Sequence, residues 1–203
     1  MIDPITLSCT GLTCQRAGRT VFRGLDFSLA AGRLLAVTGP NGAGKSSLLR
    51  IVAGLLRAAE GRLELKGGEA ECSIGEQAHY LGHQDAMKPA LSVGENLAFW
   101  SRMLGGSDKV GAALAATGLE SLDHIPAAYL SAGQKRRLSL ARLVAIKRPL
   151  WLLDEPTTAL DAAAQATLRA LMLAHLKGGG LILAATHAPL GIEGGELALG
   201  RPA

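Results

Sequence analysis

The stretch Gly39-Pro40-Asn41-Gly42-Ala43-Gly44-Lys45-Ser46 decides the fold, because it fits the phosphate-binding pattern G-x-x-x-x-G-K-[ST] at every position. Glycines let the backbone curl so that successive N–H groups point into one concavity. The following helix adds its free N–H groups and the positive end of its dipole. In this pattern Lys45 reaches the β- and γ-phosphates, and Ser46 contacts Mg²⁺. We therefore predict that residues 39–46, together with Ser47, bind a nucleoside triphosphate.

The residues on either side of this loop have the pattern that a phosphate loop requires. Residues 33–38 are typical of a buried strand that runs into the loop, and residues 46–56 have apolar positions at helical spacing. The alternative is a glycine-rich turn that happens to carry a lysine. The strand before the turn and the helix after it argue against that alternative.

The composition limits the classes of function. The chain has 203 residues, of which 48% are hydrophobic and 19% charged, enough for one globular domain with a sizeable core. Only 3% are aromatic. Proteins that bind single-stranded nucleic acid need exposed rings for stacking, so we expect no nucleic-acid partner. The net charge of +4 suits nucleotide phosphates or an anionic membrane surface, and it equally fits ordinary variation in surface charge.

Cysteines and apolar runs give little indication of secretion or membrane insertion. Cys9, Cys14 and Cys72 have no C-x-x-C spacing, so they predict neither a disulfide framework nor a zinc site. The N-terminus lacks a basic region followed by an apolar core, and no apolar run approaches the roughly 20 residues of a membrane span. We therefore expect a reduced compartment, and expect any membrane crossing to be done by another chain.

Strand and helix patterns alternate in both halves of the chain, with a helical block between them. This predicts an α/β core of mostly parallel strands with an inserted helical subdomain. We predict a single domain, 1–203, with a core of 1–90 and 147–203 and a helical subdomain at about 91–146. Predicted strands cover 5–9, 21–29, 33–38, 61–65, 79–82, 150–153, 181–186 and an edge strand at 196–199. Predicted helices cover 46–56, 131 to about 146 (the longest helix of the helical block) and 162–176, with a capping box at Ser92-x-x-Glu95.

Two acids follow the apolar run at 150–153. That run is typical of a central parallel strand, which delivers Asp154 to the edge of the sheet where open α/β proteins bind ligands. We expect Asp154 to hold the Mg²⁺ shell and Glu155 to polarise the attacking water as general base. The alternative is a strand that happens to end in two solvated acids.

The run Leu130-Ser131-Ala132-Gly133-Gln134 opens the helix upstream of these acids. Ser131 suits the N-cap position. An exposed helix start of small residues is also an anion site, and it could reach the nucleotide of a partner chain. Simple helix capping is the alternative function of this serine.

Together these motifs resemble those of the ATP-binding-cassette ATPases, the nucleotide-binding subunits of ABC transporters, over nearly the whole chain. The resemblance implies ATP and Mg²⁺ as ligands, and a P-loop NTPase fold with an N-terminal antiparallel β portion. It implies that Gln84 senses Mg²⁺ and the membrane partner, and that His187 contacts the γ-phosphate. It also implies nucleotide contacts for Ser131, Gly133 and Gln134 of the family signature motif and for Asp161 of the D-loop.

The sequence departs from the family pattern at two positions. Ala132 stands where the family most often has glycine, and a methyl group is tolerable there if the backbone is helical. Arg16 falls where the family often stacks an aromatic ring on adenine. Either the Arg16 guanidinium plane or the Phe22 ring could replace that ring, and the sequence does not decide between them.

Within the family, the chain is similar to the ATP-binding subunits of cytochrome c maturation systems, also called haem exporter ATPases. The similarity rests on Gly82-His83-Gln84, residues 131–137, residues 149–156 and the short length. It implies integral membrane permease subunits on separate chains, and a peripheral location on the cytoplasmic face of the inner membrane. It also implies a head-to-tail homodimer, with each ATP between the phosphate loop of one copy and the signature of the other. The sequence has no Cys-Pro pair and no C-x-x-C-H, so we expect no direct haem binding.

Three other functions fit part of the pattern. A soluble ABC-type ATPase of an assembly pathway, such as iron–sulfur cluster assembly, would carry the same motifs. A small P-loop kinase would not need residues 130–134. A nucleotide-regulated scaffold without turnover would need neither Glu155 nor His187.

Overall fold

The computed structural model describes residues 4–82, 86–106 and 109–200. Its strands are β1 (Thr6–Arg16), β2 (Arg19–Ala30), β3 (Leu34–Thr38), β4 (Glu60–Lys66), β5 (Ala78–Leu81), β6 (Leu150–Asp154), β7 (Leu181–Ala185) and β8 (Gly195–Ala198). Its helices are α1 (Lys45–Val52), α2 (Val93–Met103), α3 (Val110–Ala116), α4 (Ala132–Ala145) and α5 (Ala162–Lys177), with short 3₁₀ segments at Glu120–Leu122 and Ala127–Tyr129. In this described part of the chain, no helix combines the length and the apolar character needed to cross a bilayer.

The chain divides into two compact units. The sheet unit comprises Met1–Gly82, Arg148–Pro156 and Met172–Ala203, and the helical unit comprises His83–Lys147 and Thr157–Leu171. The predicted division of the domain into a core of 1–90 and 147–203 and a helical subdomain at about 91–146 stays a prediction.

A five-stranded parallel sheet in the order β5-β6-β7-β3-β8 forms the centre of the sheet unit. Every residue of β6 and β7 is buried. Strands covered on both faces read as continuous apolar runs, which is why the sequence identified both of them as central strands. The prediction of an edge strand near the C-terminus is also confirmed, since β8 stands last in the strand order, paired with β3.

A smaller antiparallel sheet, β2-β1-β4, completes the sheet unit. Ala17 and Gly18 close the β1–β2 hairpin with positive φ values of 48° and 76°, a combination that suits the twist of two-residue hairpins. The predicted strand at 5–9 is wrong in length, because β1 continues to Arg16. Gly11 has φ 60° and the register shifts beyond Cys9, so the apolar alternation is lost while the pairing continues.

One helix prediction needs correction. Helix α1 ends at Val52 rather than near Leu56, because Gly54 takes φ 72° and the N–H groups of Leu55 and Leu56 turn back to the Arg50 carbonyl. The helix after Ser131 is the longest of the helical block, as predicted: α4 has 14 residues, against 11 in α2 and 7 in α3. Three consecutive glycines, 178–180, follow α5 and mark its end.

Each unit has its own hydrophobic core. In the sheet unit, buried residues of both sheets and of α1 form one cluster that includes Leu7, Leu48 and Leu152. In the helical unit, α2, α3 and α4 pack through Leu97, Leu114 and Leu138, among others. The first core fixes the end of β3, from which the phosphate loop emerges, and the second fixes the start of α4.

Candidate functional site

The phosphate loop connects β3 to α1 and depends on glycine at two close approaches. A Cβ at Gly39 would overlap the carbonyl oxygen of Leu199, and a Cβ at Gly44 would lie 2.6 Å from Val21 Cγ1 and 2.9 Å from Phe22 Cδ1. Both glycines have positive φ, 131° and 100°. Side chains are therefore excluded by space and by backbone conformation, and the loop can curl as a phosphate cradle requires.

Lys45 is 8% exposed, and its side chain folds back over its own loop. Its Nζ donates hydrogen bonds to the carbonyl oxygens of Gly39 (2.8 Å) and Pro40 (3.2 Å). The same Nζ lies 3.0 Å from Nε2 of His187. Because an ammonium group only donates, Nε2 accepts this hydrogen bond. The structure therefore brings two predicted site residues, 142 positions apart, into contact.

Ser46 and Asp154 form a pair of oxygen donors at the start of α1. Strand β6 delivers Asp154, which is 1% exposed, and its Oδ1 accepts a 3.0 Å hydrogen bond from Ser46 Oγ. A hydroxyl and a carboxylate are the hard ligands that Mg²⁺ takes, usually with waters and substrate phosphates completing the shell. The residues present thus fit a magnesium ion. Gln84, the third predicted magnesium residue, lies outside the described residues.

Glu155 has an unusual backbone. Its φ is 47°, a left-handed value that is uncommon for non-glycine residues and that clusters at functional sites. Its N–H donates to the Ala185 carbonyl of β7 at 2.9 Å. Its Oε1 lies 3.5 Å from His187 Nε2, with the two side chains 17% and 49% exposed. Lys45, Glu155 and His187 therefore converge at the carboxyl edge of the parallel sheet.

The predicted signature residues lie in the helical unit. Ser131 is the N-cap of α4, as the sequence predicted: its Oγ accepts from the Gln134 N–H at 3.2 Å. Gln134 returns the contact, since its Oε1 accepts from the Ser131 N–H at 2.8 Å. Ala132 is the first helical residue, so the backbone is helical where the extra methyl group occurs. No acidic residue occupies the first turn. The helix start therefore keeps its positive dipole end uncompensated.

Asp161 is held by two contacts within the helical unit. Its Oδ1 accepts from the Ala164 N–H at 2.7 Å, and its Oδ2 accepts from Arg137 Nη2 at 2.9 Å. The first of these hydrogen bonds and then the Arg137 charge hold the pKa of Asp161 below its ordinary value. Nearby, Ala159 has φ 63°.

The two candidates for the adenine contact differ in setting. Arg16 is exposed at the end of the β1–β2 hairpin, opposite Arg19. Phe22 is half-buried, and its ring edge lies against Gly44. Contact of either residue with adenine stays a prediction.

The structure shows two side-chain contacts that the sequence did not lead us to predict. Arg137 contacts Asp161 across 24 positions, and no local pattern indicates that pairing. Gln134 closes the capping box at Ser131. The sequence could have predicted that contact, because Ser-x-x-Gln is a capping-box pattern in the same way as the Ser-x-x-Glu at Ser92.

Comparisons with known proteins identify the family and several relatives. Residues 22–158 match the family model described as ABC transporter. The chain is 61% identical to the cytochrome c biogenesis ATP-binding export protein CcmA of Nitrobacter winogradskyi over 195 residues, 96% of this chain and 98% of the relative. It is 50% identical to the protein of the same name from Brucella abortus over 189 residues, 93% of this chain and 88% of the relative.

Solved structures share the fold. One is described as the ATP-binding subunit of an ABC transporter, with a TM-score of 0.82 and 24% identity over 89% of this chain and 79% of that chain. Another is a bacterial Atm1-family ABC exporter with ATP bound, with a TM-score of 0.83 and 24% identity, covering 98% of this chain and 37% of that chain. At this identity the likeness supports the fold alone.

Proposed function

The chain belongs to the ABC transporter family of ATP-binding proteins, and from this premise we propose that it is the ATPase subunit of a cytochrome c biogenesis export system. As a family member it binds and hydrolyses ATP, and a separate membrane partner is implied. The observation that carries the narrower proposal is the near full-length similarity to proteins named for that pathway. The relatives' names favour export over a soluble assembly pathway, and the family match argues against a small kinase.

The convergence at the sheet edge supports specific roles in hydrolysis. Lys45 neutralises phosphate charge, with the phosphates replacing the loop carbonyls of Gly39 and Pro40 as acceptors. Glu155 orients the attacking water, and His187 stabilises the γ-phosphate. Phosphoryl transfer needs mainly positioning and electrostatic stabilisation, and these three side chains would supply part of both, together with the backbone N–H groups of the phosphate loop.

Magnesium is the proposed cofactor. Ser46 and Asp154 would hold it, and Gln84 would complete the protein contribution. When bound, the ion supplies positive charge against the phosphate oxygens. The protein's part is to keep the two oxygens at one place, which the 3.0 Å Ser46–Asp154 contact and the burial of Asp154 support.

We propose a homodimer in which the α4 start of one copy faces the nucleotide of the other. Gly133 would present its N–H group there, Ser131 its hydroxyl and Gln134 its side chain, and Asp161 lies in the loop before α5. An uncompensated helix start is favourable for an anion such as the γ-phosphate. One chain carries both kinds of half-site, so two copies make two complete sites.

The membrane subunit is proposed to contact the helical unit near Gln84, with the ATPase peripheral to the cytoplasmic face of the inner membrane. The described part of the helical unit combines rings and cations: Lys88 Nζ lies 4.5 Å from the centre of the Phe99 ring, and the Arg142 guanidinium lies 4.8 Å from that of Trp100. Such amphipathic groups suit a protein partner. Haem is handled, in this proposal, by the membrane chains and not by this one.

A Glu155→Gln substitution tests the proposed hydrolytic role. The variant should bind ATP, accumulate as an ATP-bound dimer and lose nearly all turnover, measured by phosphate release and by light scattering after size exclusion. Glu196→Gln is the matched control, because Glu196 accepts a hydrogen bond from Thr38 at the edge of the same sheet and has no assigned role. Brisk hydrolysis by Glu155→Gln rules out the assigned base.

A complementation experiment tests the pathway. A strain lacking this gene should lose its c-type cytochromes, and the wild-type gene should restore them, whereas the Lys45→Ala variant should not. Haem-stained gels of membrane fractions provide the measurement. Normal cytochrome c content in the deletion strain contradicts the proposed pathway, without affecting the ATPase assignment.

A further inference from the structure

We propose that Tyr129 stacks on the adenine ring of the ATP held by a second copy of the chain. This inference rests on the proposed function, which brings the nucleotide of one copy against the α4 start of the other. Tyr129 lies two residues before Ser131, the N-cap of that helix. It would supply the base contact that the phosphate loop itself does not provide.

Tyr129 is unlike the other aromatic residues of this chain. The sequence has three phenylalanines, two tyrosines and two tryptophans, all within the described ranges. Tyr129 is 80% exposed, whereas every other aromatic side chain is partly or fully buried. A single exposed ring is common on protein surfaces, so exposure alone carries no function. What indicates a function is its position, two residues before the helix start that we propose faces the nucleotide.

The backbone around Tyr129 is fixed on both sides. The 3₁₀ segment Ala127–Tyr129 is anchored by hydrogen bonds from the Ala127 N–H to Leu91 O (2.9 Å) and from the Tyr129 N–H to Pro126 O (3.0 Å). The next residue, Leu130, is 6% exposed and belongs to the core of the helical unit. A tyrosine on such a segment has only two side-chain torsions left to order. Binding through it therefore costs little conformational entropy.

The reach and the chemistry of Tyr129 suit adenine. Two residues of chain span up to about 7 Å, and the tyrosine side chain adds to that reach. Adenine is the part of ATP farthest from the γ-phosphate, which is proposed to lie at Ser131. An aromatic face stacks on a base with a gain of about tenfold or more in affinity. Arg16 offers no ring, and Phe22 is half-buried against Gly44, so Tyr129 is the exposed ring available for stacking.

The first test measures nucleotide affinity in the Glu155→Gln background, where ATP should hold the dimer together. Tyr129→Ala should raise the ATP concentration for half-maximal dimerisation about tenfold, and Tyr129→Phe should restore it to near the parent value. Met103→Ala is the matched control, because Met103 is 61% exposed in the same unit and should change nothing. Inorganic tripolyphosphate with Mg²⁺ carries no ring, so its dissociation constant should be the same in both Tyr129 variants.

Mixed dimers decide whether Tyr129 acts on the partner's nucleotide. In a dimer of a Tyr129→Ala copy and a Lys45→Ala copy, the intact phosphate loop faces an intact Tyr129, so ATP affinity should equal that of a dimer with Lys45→Ala alone. In a dimer of a parent copy and a Lys45→Ala/Tyr129→Ala copy, the intact loop faces the alanine, and affinity should fall about tenfold. Equal affinities in the two dimers, or the reverse order, overturn the proposal.

Failure of this inference is distinguishable from failure of the proposed function. Ser131→Arg should abolish ATP-driven dimerisation if the α4 start faces the nucleotide. If Ser131→Arg has that effect while Tyr129→Ala leaves ATP affinity unchanged, the stacking role is wrong and the dimer proposal stands. Loss of binding to the membrane subunit with unchanged ATP affinity in Tyr129→Ala would likewise overturn the stacking role. If Ser131→Arg has no effect, the proposed dimer itself is wrong.

Discussion

Helices α2 and α4 begin in nearly the same way, and we propose different functions for their first turns. Ser92-Val93-Gly94-Glu95 opens α2, and Ser131-Ala132-Gly133-Gln134 opens α4. Both form complete capping boxes, in which the serine accepts from the third residue's N–H and that residue's side chain accepts from the serine N–H. The two starts differ in charge, because the third residue is Glu95 in one and Gln134 in the other.

The difference in charge, and not the shared capping geometry, decides which of the two helix starts can attract an anion. A carboxylate in the first turn compensates the positive end of the helix dipole, and α2 has one. Helix α4 has none, so its start keeps the positive potential that an anion requires. The stabilising function of the capping box is common to both helices, and only α4 is left able to attract phosphate.

The largest expected effect comes from giving α4 the charge that α2 has. Gln134→Glu keeps the capping box but places a carboxylate beside the proposed γ-phosphate position. Like charges about 4 Å apart in a partly buried site repel by several kcal/mol, so ATP hydrolysis should fall about a hundredfold. The melting temperature should stay unchanged or rise slightly. Glu95→Gln is the converse control and should leave turnover intact; normal turnover by Gln134→Glu contradicts the proposed phosphate contact.

The second residue of each helix separates stability from function. A Cβ at Gly94 would overlap the carboxylate of Asp123, an exposed side chain that can turn aside, so Gly94→Ala should change the free energy of unfolding by no more than about 1 kcal/mol and leave turnover normal. A Cβ at Gly133 meets only the Ala159 carbonyl oxygen, at 3.3 Å. Gly133→Ala should therefore also fold with a small change in stability, and yet hydrolyse ATP more slowly. Denaturant titration with parallel phosphate-release assays measures both, and a reversed pattern contradicts the assigned difference.

The two serines should be equivalent for stability and unequal for activity. Replacing a capping serine by alanine leaves one backbone N–H of the first turn without its acceptor, so Ser92→Ala and Ser131→Ala should each cost about 1 kcal/mol of unfolding free energy. Thermal melts can compare the two. Turnover should fall only in Ser131→Ala. If both variants lose activity in proportion to their stability, Ser131 has a capping function alone.

A smaller effect is expected at the third helix start, where Asp161 caps α5 through the Ala164 N–H. The pKa of Asp161 is lowered, first by this hydrogen bond and then by Arg137. Its contribution to stability is therefore fully present above the ordinary aspartate pKa of about 3.9 and is lost as pH falls through the lower folded value. In Arg137→Met the pKa should rise yet stay below the ordinary value, as carboxyl NMR titration can measure. A fully ordinary pKa in that variant would make Arg137 the dominant cause.

Local patterns predicted part of this molecule well. The turn between β3 and α1, the Ser92 capping box, the Ser131 N-cap and the buried strands β6 and β7 each follow from neighbouring residues. The length of β1 was missed because Gly11 breaks its alternation, although backbone pairing with β2 persists. The Lys45–His187 and Arg137–Asp161 contacts join distant positions, so spacing alone does not predict them. The roles of these residues in catalysis stay predictions.

The left-handed backbone of Glu155 has a consequence for engineering. A glycine would adopt a φ of 47° without the steric cost that a glutamate bears there. Laboratory selection for heat tolerance alone should thus favour Glu155→Gly, which would give a more stable protein that has lost its proposed base. Stability and turnover would be in direct conflict at this one position, so thermostabilised versions of this ATPase should be screened for activity before use.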